Sequence, residues 1–480
     1  MNSGAKHDSK FLAALLLAVF WLPSTAAALS EAEARHLLVR SGFSADVAEI
    51  ETLAPLNRKT AIEKILRTAG TEAVTDPPAW VEGWVPPRMK ALSAEERRAL
   101  RNQNKERGLT LKAWWMEEMT NTPTPLTEVM TLFWHNHFTS SLRKVKAPVL
   151  LYRQNRLLRR HALGNFGDLL HAIARDPAML VYLDGARSRK GAANENFPRE
   201  LFELFTLGEG HYREADVKEA ARAFTGRSVE RKTGAFAFRR QWHDAGEKTV
   251  LGHRGRLEGD DVIRILLDHP RTASFIVEKL WRGFISETPD EDEVARLAQV
   301  FRETGYEIRP LLAALLASDA FWAPENRGRL IKSPIDFVVG TVRLFDLPVD
   351  RYEDLARLSR RLGQDLFDPP NVKGWPGGTD WITAASLLDR QALAERITGG
   401  SRQAEAQAIA IQAGRKLKGS ARRAVRFDAW LAELPDRWQQ AEAVSLLLLA
   451  VPAVDVEILD RRASGAQVRQ LLGDPAYQLK

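Results

Sequence analysis

Phe133-Trp134-His135-Asn136-His137-Phe138 sets two imidazoles two residues apart. On a strand, positions i and i+2 share a face, so His135 and His137 would chelate one divalent cation; on a helix the same spacing turns them about 200° apart and they would not. The apolar residues before them, Leu126, Val129, Met130, Leu132 and Phe133, have helical spacing, so chelation requires that helix to end near Trp134. The alternative is a pair of buried, hydrogen-bonded histidines beside a structural tryptophan. His243-Asp244 is a second ligand-like pair, although an Asp followed closely by Gly246 also serves to fix and cap a turn. His135, His137, His243 and Asp244 together form the candidate metal set.

Glu200 and Glu203 lie three apart in the stretch Asn194–Gly226, opposite the apolar Leu201 and Phe205. Paired carboxylates serve as acid and base or complete a metal site. On composition alone they are equally a solvated face or partners for Arg199 and Arg222. Asn194, Glu195, Asn196 and Arg199 are candidates for substrate contact, against a reading in which they cap the helix and hold the preceding loop over 184–193. Trp375, in the Pro- and Gly-rich segment 369–378, either lines a groove for carbohydrate or peptide or packs that segment onto the body.

Positioning these groups falls mainly to helices. Asn196 is read as an N-cap with Pro198 in the first turn, Phe197, Leu201, Leu204 and Phe205 as the apolar face, and Gly208 as the stop. A second helix begins at about Glu214 and is closed by Gly226. Upstream, helices are expected at 31–40, 58–67, 93–119, from Thr124 or Thr127 to the histidine motif, at 149–163 and at 166–176. Ser93 with Glu96 is a capping box, and the tryptophan-rich 76–87 is an extended connector. Downstream, helices are expected at 260–268, 272–284, 291–304, 308–317, 333–345, 382–397, 402–414, 428–434 and 437–449. Alternation at Phe236 and Phe238, with Lys248-Thr249-Val250, predicts one small β-hairpin near 234–252. The expected fold is therefore mainly α, a single large helical domain over 29–480 with a possible sub-boundary at 76–90.

Of 480 residues 45% are hydrophobic and 27% charged, so the chain buries a substantial core. It has no cysteine, which excludes disulfides, thiolate metal sites and covalently attached c-type haem. The net charge of +7 is spread along the chain without aromatic platforms, which argues against nucleic acid as a partner. Residues 1–28 read as a secretory signal: Lys6 and Lys10, an apolar run from Phe11 to Trp21, and Ala26-Ala27-Ala28. No phosphate-binding glycine loop, nucleophile elbow or HExxH pattern occurs.

Five motifs in order resemble the domain-of-unknown-function 1800 family of exported bacterial proteins: the 133–138 motif, Asn194-Glu195-Asn196-Phe197 through Leu207-Gly208, Tyr212 to Gly226, His243-Asp244 with 248–252, and 369–376. The likeness runs from about Glu33 to the closing Lys480. It implies a largely helical, periplasmic or secreted protein of no established activity, often encoded beside exported proteins related to sulfatases and phosphatases, and hence a partner of that kind. Phe205 stands where many members have His, and Pro198 where many have Ala; His211 either substitutes for that His or is unrelated to it. Three functions follow as expectations. The first is a metal-dependent envelope hydrolase with Glu200 as acid/base. The others are a non-catalytic partner of another exported protein and a non-covalent haem or cofactor protein.

Overall fold

The computed structural model describes residues 27–87, 90–397, 427–458 and 461–480. The helix expected over 402–414, and the expected leader apart from Ala27 and Ala28, lie outside the described residues. Three helices open the fold: α1 (Glu31–Ser41), α2 (Val47–Leu53) and α3 (Arg58–Thr68). The long α4 (Ala94–Asn121) and α5 (Pro125–His137) follow, then α6 (Leu142–Val145), α7 (Pro148–Arg160), α8 (Phe166–Ile173) and α9 (Pro177–Tyr182). α10 (Asn196–Glu200) runs on into a π-helical segment, Leu201–Thr206, and α11 (Glu214–Ala223) returns beside it.

After the β segment come α12 (Gly259–Asp268), α13 (Pro270–Phe284), α14 (Glu291–Glu303), α15 (Ile308–Ala317) and the short α16 (Asp319–Trp322). α17 (Pro334–Leu344), α18 (Tyr352–Arg361) and α19 (Ala384–Ile397) lead to α20 (Phe427–Glu433), α21 (Ala441–Leu448) and α22 (Gly465–Gly473). The architecture is mainly α. Among the described residues no helix is long and apolar enough to cross a membrane.

Local sequence explains many boundaries. Ser30 with Glu33, Ser93 with Glu96 and Ser333 with Asp336 each close a capping box that satisfies otherwise orphaned amides. The β segment differs from the expected single hairpin. β1 (Arg227–Val229) pairs with β2 (Phe236–Phe238), and β3 (Lys248–Val250) pairs with β4 (His253–Gly255), both antiparallel. Leu251 and Gly252, at φ 48° and 81°, form a two-residue turn of the mirror-image kind that suits strand twist, so β3 pairs forward rather than back to β2.

One apolar core joins side chains from both sides of the 76–90 connector, from Ile62 and Leu66 to Leu111 and Trp115. The connector packs down: Arg107 lies over the Trp80 ring and Arg153 over the Trp84 ring. A second, smaller core gathers Phe337, Phe345, Leu431, Val444, Leu471 and Tyr477 from the C-terminal helices.

Asp176, 3% exposed, caps α9 by accepting from Met179 N at 2.8 Å and also accepts from Gln154 Nε2 at 2.8 Å. Burial, against these opposing hydrogen bonds, pushes its carboxyl up to about 7. The native state therefore holds its proton while the unfolded chain has lost it, and stability falls as pH rises from the unfolded value to about 7. Asp176→Asn keeps the cap acceptor without the buried charge. It should gain about 2 kcal/mol over the native chain at pH 8 and little at pH 4, read by urea denaturation at both pH values. An advantage that does not grow with pH would refute the assignment.

Candidate functional site

α5 continues through His137, so the helix does not end at Trp134 and the two imidazoles diverge. His135 is enclosed by Trp115, Phe367 and Trp375, with ring centroids at 5.3, 5.2 and 5.5 Å. His137 points elsewhere, its Nε2 3.2 Å from the Phe205 carbonyl and its ring against Phe138 and Phe205. Burial pulls His135 down to about 3; burial and then Lys279 hold His137 well below its ordinary range, so both rings stay neutral.

His243 Nδ1 sits 3.0 Å from the Thr225 carbonyl. Asp244 uses Oδ2 on Arg222 at 2.8 Å and Oδ1 on Gly246 N at 3.0 Å, closing the turn. The Arg222 guanidinium holds its carboxyl down at about 2. His135, His137, His243 and Asp244 thus occupy three separate environments and are not brought together. Among the described residues no group of three or more His, Asp or Glu is placed to hold a metal ion.

Asn136, between the histidines, does a different task. Its Oδ1 accepts from Trp375 N at 2.7 Å and so clamps the 369–378 loop onto the end of α5. Trp375 is 5% exposed and its ring lies on His135, so it anchors the loop and does not line a groove. The clamped loop presents Lys373, which reaches Glu209 at 3.2 Å.

The helix cap also moves. Asn194 Oδ1 accepts from Asn196 N at 2.9 Å, and α10 already starts at Asn196. Asn196 Nδ2 donates instead toward Asp184 at 3.4 Å. Arg199 is spent on Glu195 at 3.2 Å and Glu214 at 2.6 Å, so Glu195 and Arg199 brace α10 against α11. Beyond Glu200 the backbone widens into the π segment, where Leu207 N bonds Phe202 O at 2.8 Å and Thr206 Oγ1 bonds Leu201 O at 2.6 Å. That winding buries Phe202 completely and leaves Leu204 half-buried, unlike the α-helical face expected. Such segments are rare and occur frequently at functional sites.

The two carboxylates flank this transition, Glu200 at the end of α10 and Glu203 in the π segment. Glu203 accepts from the Tyr212 hydroxyl at 2.8 Å. Glu200 is half-buried and makes neither a hydrogen bond nor an ion pair with the described residues. Burial and then the Glu203 charge raise its pKa, against the opposing pull of Arg199 and Lys373. Tyr182 is raised too, by burial and then by Glu200, which places its phenol in the same field. Arg143, on α6, grips the root of the loop through Asp368 at 2.9 Å and the Pro369 carbonyl at 2.9 Å. Lys144 holds Asp184 at 2.7 Å, and Asp184 sits in left-handed geometry at φ 59°.

Glu203 and Lys373 therefore act on Glu200, Glu200 acts on Tyr182, and Arg143 reaches that tyrosine's field from α6. Tyr182, Lys373 and Arg143 escape sequence reasoning because each stands alone in its own segment. His211 is exposed and lies near His269, whose pKa falls by burial and then by His211, so it does not take a place beside His137.

A cleft of about 310 Å³ lies elsewhere, between α1, α2, α3 and the start of α5, bordered by Ser41, Glu49, Lys64 and Leu126. α5 has 13 residues, so its two ends stand roughly 18 Å apart and the cleft does not join the carboxylate cluster. Residues 36–479 match a family model described as "Protein of unknown function (DUF1800)". No curated protein and no solved structure matches the chain.

Proposed function

The chain belongs to the DUF1800 family, and we propose that it is an exported hydrolase cleaving glycosidic bonds of an envelope polymer with Glu200 as general acid and Glu203 as base. The observation that carries this is Glu200 itself: a half-buried carboxyl with no partner, three residues from a second carboxylate that Tyr212 holds. Acetal cleavage is chemistry that two carboxylates perform without a metal or an activated serine. The raised pKa favours the protonated form of Glu200, which delivers its proton to the leaving oxygen as the carbon–oxygen bond breaks. Glu203, oriented by the Tyr212 hydroxyl, takes a proton from the attacking water. Export is part of the proposal and rests on the leader-like composition of residues 1–28.

The test is release of reducing ends from a panel of envelope glycans by the purified protein across pH. Glu200→Gln is expected to lower turnover about a hundredfold while leaving the melting temperature unchanged. Activity should fall as pH rises through the raised Glu200 value. In Lys373→Met that alkaline limb should move to higher pH, because the variant removes a cation that favours the ionised form. No reducing ends from any glycan, or full activity in Glu200→Gln, would sink the reading.

A further inference from the structure

The C-terminal core holds a cluster of cations that the carboxylate site does not use. Lys332 is 7% exposed; its ammonium lies 3.7 Å from the Tyr477 ring centroid and makes no hydrogen bond or ion pair with the described residues. Arg35, 5% exposed, gives Nε to the Leu447 carbonyl at 3.0 Å and Nη2 to the Leu448 carbonyl at 3.1 Å, which leaves Nη1 without a hydrogen-bond partner among the described residues. Both side chains line one partly open pocket of about 20 Å³, together with Ser44 and mostly apolar groups such as Val39 and Leu344.

The charge around it is unbalanced. Arg35, Arg390 and Lys480 all push Lys332 toward its neutral form, and Asp336 opposes them. Asp336 is already engaged, by Lys480 Nζ at 2.9 Å and by Ser333 N at 2.9 Å. A buried ammonium with no partner is costly unless it is neutralised or paired. Burial and then Arg35 both push Lys332 toward the neutral form, and a bound anion would reverse that.

We propose that Lys332 and Arg35 bind a small inorganic monoanion of chloride size in this pocket. Its size suits the class: the volume holds about one water-sized sphere, the scale of a halide. The ion fastens α1 to the segment before α17, to the end of α21 and to Tyr477, so it joins the two cores of the fold. It carries no role in the glycan reading and stands or falls separately from it.

The full chain is melted in sodium chloride and in sodium gluconate, whose anion is too large to enter, at equal ionic strength. The expected result is a melting temperature several degrees higher in chloride, saturating with concentration, and no such difference in Lys332→Met. Equal curves in the two salts, or an unchanged chloride effect in Lys332→Met, overturn the site. Should that variant not fold, crystals of the native chain grown in bromide decide the matter. An anomalous peak beside Lys332 Nζ supports the site; density for water without anomalous signal overturns it.

Discussion

Arg159→Met is expected to cost the fold about 3–5 kcal/mol, because it strands a carboxylate in the core. Glu128 and Arg159 are 0% and 1% exposed at their side chains. The pair is bidentate, Nε to Oε1 at 2.7 Å and Nη2 to Oε2 at 2.8 Å, and Trp115 Nε1 donates to the same Oε2 at 2.7 Å. Nη1 of Arg159 goes to Asn155 at 2.7 Å, and its guanidinium lies 5.3 Å from the Trp114 ring centroid. Burial alone would lower the arginine's pKa, yet Glu128 raises it above the ordinary value, so the guanidinium stays charged in the core. Methionine fills much the same volume but offers no donor, which leaves Glu128 with Trp115 alone.

The pair links α4, α5 and α7, the three helices that set where the His-Asn-His end of α5 points. Urea denaturation of Arg159→Met, beside Glu128→Leu/Arg159→Met, separates two contributions. The double variant should recover most of the loss, since buried ion pairs are often replaceable by apolar packing whereas half of one is not. A single variant within about 1 kcal/mol of the native chain would show that water or rearrangement satisfies Glu128.

What the sequence makes legible follows from the range of the forces involved. Ser30, Ser93 and Ser333 announce their helices because a capping box is closed by residues three apart. The His-Asn-His motif was ambiguous, since its chemistry depends on where α5 ends. Helical spacing up to Phe133 was the correct signal, and the helix simply continues. The π segment left one local trace, Thr206, whose hydroxyl back-bonds to Leu201 five residues earlier. An α-helical template nevertheless placed Leu204 in the core instead of Phe202. The sequence pattern shows one hairpin where the fold has two, because Phe236–Phe238 finds its partner upstream, at Arg227–Val229, across a six-residue loop. The neighbours of Glu200 were not legible at all. Tyr182 and Lys373 come into its field from positions 191 residues apart, and only the packed fold brings them together.

Gly374→Ala tests that convergence directly, and it should cost about 2–4 kcal/mol. Gly374 has φ 89°, a conformation that costs an L residue roughly 1–2 kcal/mol. An added Cβ would stand 2.2 Å from Asn136 Oδ1 and 2.7 Å from the Asn136 carbonyl oxygen, so the loop must lift. Lifting breaks the bond from Trp375 N to Asn136, worth about 1 kcal/mol, and draws the indole off His135. Local effects should exceed the global one: altered tryptophan fluorescence, and withdrawal of Lys373 from Glu200. Loss of that cation moves the alkaline limb of glycan cleavage to higher pH, in the same direction as Lys373→Met. Adding Asn136→Ala relieves the side-chain clash but not the one with the carbonyl, so the double variant should lose less than the sum of its parts. Strict additivity, with native fluorescence in Gly374→Ala, would mean that Asn136 does not clamp the loop and that Lys373 is positioned by other contacts.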